Sequence, residues 1–133
     1  MKIIVCLDDG NGMLFNKRRQ SSDAELCKRI IEKAENRPVF MNNYSSKLFD
    51  GGNIIVDDNF LNVAQKGDYC FVEDKGYALE GVSEIILCHW NRKYQADKVF
   101  DIDLKANGFK KVDSEDIKGS SHDKITIETY RKG

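Results

Sequence analysis

Ile3-Ile4-Val5-Cys6-Leu7-Asp8-Asp9-Gly10-Asn11-Gly12, followed by Lys17-Arg18-Arg19-Gln20-Ser21-Ser22-Asp23, sets the reading of the whole chain. Five consecutive apolar residues predict a central strand covered on both faces, because a strand with one wet face alternates. The glycines after it predict a loop over Asp9–Gln20. Ser22-x-x-Glu25 then predicts a helix start, with serine and glutamate each satisfying a free backbone donor of the other. Cys27, Ile30, Ile31 and Ala34 recur at i, i+3, i+4 and i+7, the spacing of one buried face of a helix over Ser22–Glu35. Asp23 precedes Cys27 by four residues and Ile30 by seven, so it falls on that face. A carboxylate at the rim of a buried face, beside a strand end and a flexible loop, suits acid/base chemistry. The plainer reading is that Asp23 only offsets the helix dipole in the first turn.

Bulk properties narrow the partners. A chain of 133 residues is read as one domain over 1–133. With 21 basic and 22 acidic residues the net charge is −1, so no overall field draws nucleic acid or a membrane surface. Lys17-Arg18-Arg19 reads as a solvated loop. No stretch approaches the roughly 18 apolar residues of a membrane span, and no leader-like segment precedes the first strand, so a cytoplasmic protein is expected. Cys6, Cys70 and Cys88 lie in apolar strand-like runs and Cys27 on the helix face, without a C-x-x-C pair; they read as reduced core residues. His89 and His122 lack metal-ligand spacing, and no metal site is expected.

Short apolar runs alternate with helical and turn segments, the pattern of an α/β domain. Strands are expected at Lys2–Leu7, Pro38–Met41, Asn53–Val56, Tyr69–Val72, Glu84–His89, Lys98–Ile102, Gly108–Val112 and Lys124–Arg131. Helices are expected at Ser22–Glu35, Asn43–Phe49 and Asn59–Gln65, with one turn near Tyr77–Leu79. Asp50-Gly51-Gly52-Asn53 and Asn107-Gly108 are turns in which glycine supplies positive φ.

This order of elements, with several local phrases, resembles dihydrofolate reductase over nearly the whole chain. The opening strand, glycine loop and acidic helix look like that enzyme's first strand, mobile loop and catalytic helix. Arg37-Pro38-Val39-Phe40-Met41-Asn42-Asn43-Tyr44-Ser45 resembles its second strand and the cofactor turn after it. Ile85-Ile86-Leu87-Cys88-His89-Trp90 and Ala96-Asp97-Lys98-Val99-Phe100-Asp101 look like a late strand and the Gly-Asp-x-x-Phe-Pro phrase. Ser120-Ser121-His122-Asp123, before a strand ending Tyr130-Arg131-Lys132, resembles the C-terminal strand. The resemblance implies a single three-layer α/β domain with a central mixed, mostly parallel sheet flanked by helices. It also implies that Asp23 matches the catalytic carboxylate, with Val5, Cys6, Met13, Cys27 and Cys88 lining the ligand cleft.

Departures from the family bear on function. The Gly-Arg-x-Thr turn that holds cofactor phosphates is Asn42-Asn43-Tyr44-Ser45 here, without the guanidinium. The glycine pair that lets backbone pass close to the pyrophosphate is Glu73-Asp74, which brings side chains and negative charge. Both changes argue against NADPH. The tryptophan ahead of the acid gives way to Lys17, Arg18, Arg19 and Gln20, the aromatic position after it is Cys27, and the threonine that supports the acid falls on Cys88. The chain also looks shorter than the family between Asp50 and Tyr69. A second, weaker similarity links Asp9–Asn16, Arg18–Ser21 and Gly67–Glu73 to small bacterial proteins often labelled "ribonuclease Z". That label implies an H-x-H-x-D-H zinc cluster, which two isolated histidines cannot build.

Three functions are compatible with these residues. The first is binding of a small polar molecule beside Asp23, with Asp8, Asp9, Asp23, Glu73 and Asp74 as an acidic cluster that would favour a cation, or as plain strand-end acids in solvent. The second is a non-enzymatic interaction, regulatory or immunity protein, with Trp90 and Tyr94 beside Arg92 either an aromatic anchor for a protein partner or packing at the sheet edge. The third is a metal-independent ribonuclease using His122 or His89 with Lys17, Arg18 or Arg19, against which the near-zero charge counts. His122 reads otherwise as a structural residue capping a turn.

Overall fold

β1 (Lys2–Leu7) is the middle strand of the main sheet, where its unbroken apolar run requires it to be. The computed structural model describes residues 1–74 and 79–133. After β1 the chain forms β2 (Gly12–Phe15), β3 (Arg18–Arg19), α1 (Ala24–Ala34), β4 (Val39–Met41), α2 (Asn43–Ser46), β5 (Ile54–Val56), α3 (Phe60–Val63) and β6 (Tyr69–Phe71). Then come β7 (Glu84–His89), β8 (Lys98–Val99), β9 (Phe109–Ile117) and β10 (Ile125–Lys132). The turn expected near Tyr77–Leu79 lies outside the described residues except for Leu79.

The seven-stranded sheet runs β5-β4-β6-β1-β7-β10-β9. Its first four pairings, out to β1–β7, are parallel, and β10 is antiparallel to both β7 and β9. The result is the mixed, mostly parallel sheet that was expected. Side chains alternate across β1, so Ile3, Val5 and Leu7 pack on one face with Phe60, Cys70 and Ile85. Ile4 packs on the other, with Leu26, Ile30 and Ala34 of α1 and Val39, Met41 and Phe71. Each such aliphatic side chain stabilises the fold by about 1.5–3 kcal/mol through burial.

Four expectations need correction. The Asp9–Gln20 segment is not a loop throughout: β2 and β3 pair as a hairpin, and β8 joins them in a second, three-stranded sheet. Met13 and Leu14 are buried there, so apolar burial overrides the glycine-rich context. The strand expected at Lys98–Ile102 shrinks to the two residues of β8. β9 extends five residues beyond Val112, because pairing with β10 sustains a strand whose exposed residues carry no burial pattern. Finally, Ser22 does not cap α1. Asp23 is the N-cap, with extended backbone and a side chain that accepts from Glu25 N and Leu26 N. Either residue type can cap, and Asp23 is the one turned inward.

Candidate functional site

β1 and β7 run side by side and stop at the same end of the sheet, so their last residues share one rim with the start of α1. Asp8 ends β1 as a buried carboxylate. Its Oδ1 accepts from Gly10 N at 2.9 Å and Gly12 N at 2.7 Å, and its Oδ2 from Gln20 Nε2 and Tyr94 N, both at 3.0 Å. Burial works to raise its pKa, but these backbone and amide donors outweigh burial and hold it below the usual aspartate value. The carboxylate binds the hairpin to the 90s loop. Gly12 has no room for a side chain, since a Cβ there would lie 2.9 Å from Asp8 Oδ1 and 2.6 Å from Gln20 Nε2.

Asp23 plays the same part for another pair of segments. Oδ1 accepts from Glu25 N (3.0 Å), Leu26 N (3.2 Å) and Ser120 N (2.9 Å), and Oδ2 from Ser121 N (2.9 Å) and His122 Nδ1 (2.9 Å). The hydroxyls of Ser120 and Ser121 lie 3.2 Å from the same two oxygens. The side chain has no exposed surface. Burial would raise its pKa, but the amides of Ser121 and Ser120, the His122 ring and Leu26 N together drive it far below the usual value. The carboxylate therefore stays ionised, with both oxygens committed to the chain's own donors. Gly119 opens the turn that supplies them, and a Cβ there would strike the carboxylate.

His122 receives its orientation from this contact. Asp23 Oδ2 can only accept, so Nδ1 carries a proton, and in the neutral ring Nε2 is the acceptor. Ser21 Oγ lies 2.9 Å from Nε2, and Tyr94 Oη 3.3 Å. Trp90 stacks on the imidazole with centroids 4.7 Å apart and planes at 23°. Trp90 is buried, so it and Tyr94 pack at the sheet edge and do not form a protruding anchor.

At the mouth, Arg19 makes a two-pronged ion pair with Glu73 at 2.8 and 2.9 Å, and Ser45 Oγ donates to Glu73 Oε1 at 2.6 Å. The guanidinium also lies 4.0 Å from the centre of the Tyr44 ring. The hydrogen bonds that Arg19 donates to Glu73 raise the Arg19 pKa against the opposing effect of burial. Beneath this pair two cavities of about 10 Å³ each remain, which is room for about one water apiece. Cys6, Asp23 and Cys27 line one, and Cys6, Met13, Gln20 and Ser21 line the other. Gln20 Oε1 is buried and has no hydrogen-bond partner among the described residues.

The expected cleft residues thus divide. Asp23, Cys6, Met13 and Cys27 border the remaining space. Val5 does not, because it points to the opposite face of the sheet, and Cys88 sits fully buried beside β1 without reaching either cavity. The thiols are held protonated: the Cys88 side chain and burial push the Cys6 pKa well up, and burial with nearby Asp23 pushes Cys27 up to about 11. The five carboxylates of the supposed acidic cluster do not act together. Asp8, Asp23 and Glu73 each serve separate donors, and Asp9 and Asp74 are exposed. Among the described residues no group of three or more metal-ligating side chains could hold an ion, and no helix is long and apolar enough to cross a membrane. Ser21, Gln20 and Trp90 escaped the sequence reading of the cleft; the signal for Gln20 and Ser21 was their place in the segment that enters α1, and for Trp90 its place directly after β7. Elsewhere a hollow of about 440 Å³ opens between α1 and β9–β10, bordered by Lys2, Arg29, Lys33, Glu84, Asp113 and Arg131.

No protein-family model and no curated protein matches this chain. Among solved structures, dihydrofolate reductase from Enterococcus faecalis, complexed with NADP(H) and RAB-propyl, matches with a TM-score of 0.65. The match covers 99% of this chain and 95% of that one at 10% identity. The fold is that of dihydrofolate reductase. On this dihydrofolate reductase-like frame Ser45, in α2 after β4, binds Glu73, and the same Glu73, two residues beyond β6, is the partner of Arg19.

Proposed function

We propose that the protein binds a small, neutral, polar molecule of the heterocycle type in the remnant of the reductase cleft, under the Arg19–Glu73 pair. One observation carries this reading. Gln20, whose Oε1 is a buried acceptor without a donor among the described residues, lines a cavity together with Cys6, Met13 and Trp90. A buried polar atom left unpaired costs about 1–3 kcal/mol, so such an atom beside a cavity calls for a donor from outside the chain. The Gln20 amide nitrogen is already fixed by Asp8 Oδ2 and Gln95 O, each at 3.0 Å, so the oxygen cannot be exchanged for it. A ligand N–H or O–H meets the requirement, flanked by thiols and an indole.

The cavities are small because a polar latch covers them. Arg19 keeps about 20% of its side chain exposed and Glu73 about 9%, so the guanidinium is the outer member of the pair. A ligand larger than one water enters by parting them. Glu73 then presents a carboxylate to the bound molecule and disfavours anions.

NADP(H), bound by the enterococcal enzyme, does not suit this site. Its phosphates would meet the half-buried Glu73 carboxylate, whose oxygens are bonded to Ser45 and Arg19 where phosphate-binding groups would be needed. Asp23 likewise has no free oxygen for a ligand, so its part is to fix His122. Thermal denaturation with folic acid, NADPH, adenosine, guanosine and spermidine tests the reading. A neutral nucleoside or pterin is expected to raise Tm and NADPH to leave it unchanged, with about tenfold weaker binding in Gln20→Leu, the worth of one hydrogen bond. If none of the five raises Tm, the reading is wrong.

A further inference from the structure

We infer that Ser21, His122 and Asp23 are a nucleophile, its base and the acid that orients the base, and that the protein cleaves esters carrying short acyl groups. The inference rests on the proposed cavity as the place where the ester sits.

The geometry is that of an activated hydroxyl. Ser21 Oγ is 2.9 Å from His122 Nε2, and His122 Nδ1 is 2.9 Å from Asp23 Oδ2. Such a constellation is recognised by distances and roles, not by the order of its members in the chain. Asp23 cannot donate, so the neutral imidazole is held as the tautomer with an unprotonated Nε2 facing Ser21, which a base requires. Two backbone amides, of Ser120 and Ser121, hold the carboxylate, and Trp90 stacked on the ring prevents it from turning away. Four elements of the sequence are spent on keeping one nitrogen pointed at one serine.

Ser21 itself is the accessible member. It is half-buried and borders both cavities, whereas Asp23 and His122 are enclosed. Tyr94 Oη lies 3.3 Å from the same nitrogen, so two hydroxyls face the base. Each cavity holds about one water, so an ester enters only when the Arg19–Glu73 pair parts, and a short acyl group needs the least room beside Ser21.

In the reaction Ser21 Oγ bonds to the ester carbonyl carbon while its proton passes to His122 Nε2. The tetrahedral adduct collapses with cleavage of the carbon–oxygen bond, and the alcohol leaves carrying that proton. Water then adds to the acyl carbon and gives its proton to His122. The acid departs as Ser21 regains the proton. No oxidant, reductant or cofactor enters the balance.

The test treats the intact protein with methanesulfonyl fluoride, which loses fluoride as Ser Oγ bonds to sulfur, and with p-nitrophenyl acetate. One sulfonyl adduct is expected, mapped to Ser21 by peptide mass spectrometry, with p-nitrophenol release that Ser21→Ala abolishes while its circular dichroism stays native. His122→Gln should slow labelling about 100-fold, the usual worth of a positioned base. If His122→Gln does not fold, the pH profile of wild-type labelling replaces it: a rate that falls in acid through the histidine range supports the base, and a flat profile overturns it. Absence of an adduct at Ser21 overturns the inference. Should a ligand still raise Tm in that case, only the acyl transfer has failed; an adduct with no ligand shift would instead sink the binding reading.

Discussion

The cleft under Arg19 and the groove between α1 and β9–β10 are both rimmed by charge, yet they differ in what their polar groups need. In the groove the charges answer one another: Arg29 meets Glu115 at 2.9 Å, Arg131 meets Glu84 at 2.8 Å, and Lys2 and Lys33 reach Glu84 and Asp113. Its 440 Å³ are open, wet and electrostatically settled. In the cleft there is space for about one water in each cavity, but the wall holds an acceptor without a donor and a histidine aimed at a serine. Volume and chemical demand point to different places. A site is marked by groups that the fold keeps in an unfinished state, and the larger hollow has none among the pairs just named.

This contrast can be broken by substitution, and the largest effect is expected at Asp23. Asp23→Ala leaves the helix start, two turn amides and the His122 ring without their acceptor. It should cost about 3–5 kcal/mol in urea denaturation, the range for removing one member of a buried charged network. A loss below about 1 kcal/mol would show that the turn at 119–122 does not depend on it. Gly119→Ala comes next, because its added methyl collides with the same carboxylate; a destabilisation of about 1–3 kcal/mol is expected from overpacking.

Acid should then expose the difference between the two regions. Asp23 and Asp8 titrate lower in the folded protein than the ordinary 3.8 of an unfolded chain. Their stabilisation is therefore complete above that value and is lost as pH falls from near 4 towards their folded values. The slope is at most about 1.4 kcal/mol per pH unit for each group. Asp23→Asn should flatten this acid limb; a slope equal to that of the unsubstituted protein would show that Asp23 does not carry it. Arg19→Ala, which opens the latch, should cost about 1 kcal/mol, the scale of a charge-assisted pair near the surface, and speed ligand entry in stopped-flow. The smallest effect belongs to Arg131→Ala in the groove, under about 0.5 kcal/mol, since its guanidinium is mostly in solvent.

Much of the frame could be read from residues alone. The apolar run in β1 required a central strand, and the spacing of Cys27, Ile30 and Ala34 required α1. The cap was misplaced by one residue because Ser22 and Asp23 have the same local capacity, and only the distant Ser120–His122 turn decides between them. β2 was hidden because the glycines at 10 and 12 outweighed Met13-Leu14-Phe15 in a local reading. Val5 and Cys6 were assigned to one cleft because an unbroken apolar run does not tell which face each side chain takes. The Asp23–His122 contact spans 99 residues, and no spacing rule reaches that far. Asp23 was legible as a marked residue; that it would be spent on orienting His122 was not.

The same long reach has a consequence for how the chain is made. α1 lies in the first quarter of the sequence, but the groups that close its N-terminus arrive with residues 120–122. The strand that follows them, β10, is inserted between β7 and β9. A nascent chain stalled before Ser120 therefore carries a helix whose cap is only half satisfied and whose buried carboxylate is still hydrated. The native contacts of α1 thus join residues about 100 apart in sequence, the kind of long-range closure that slows folding.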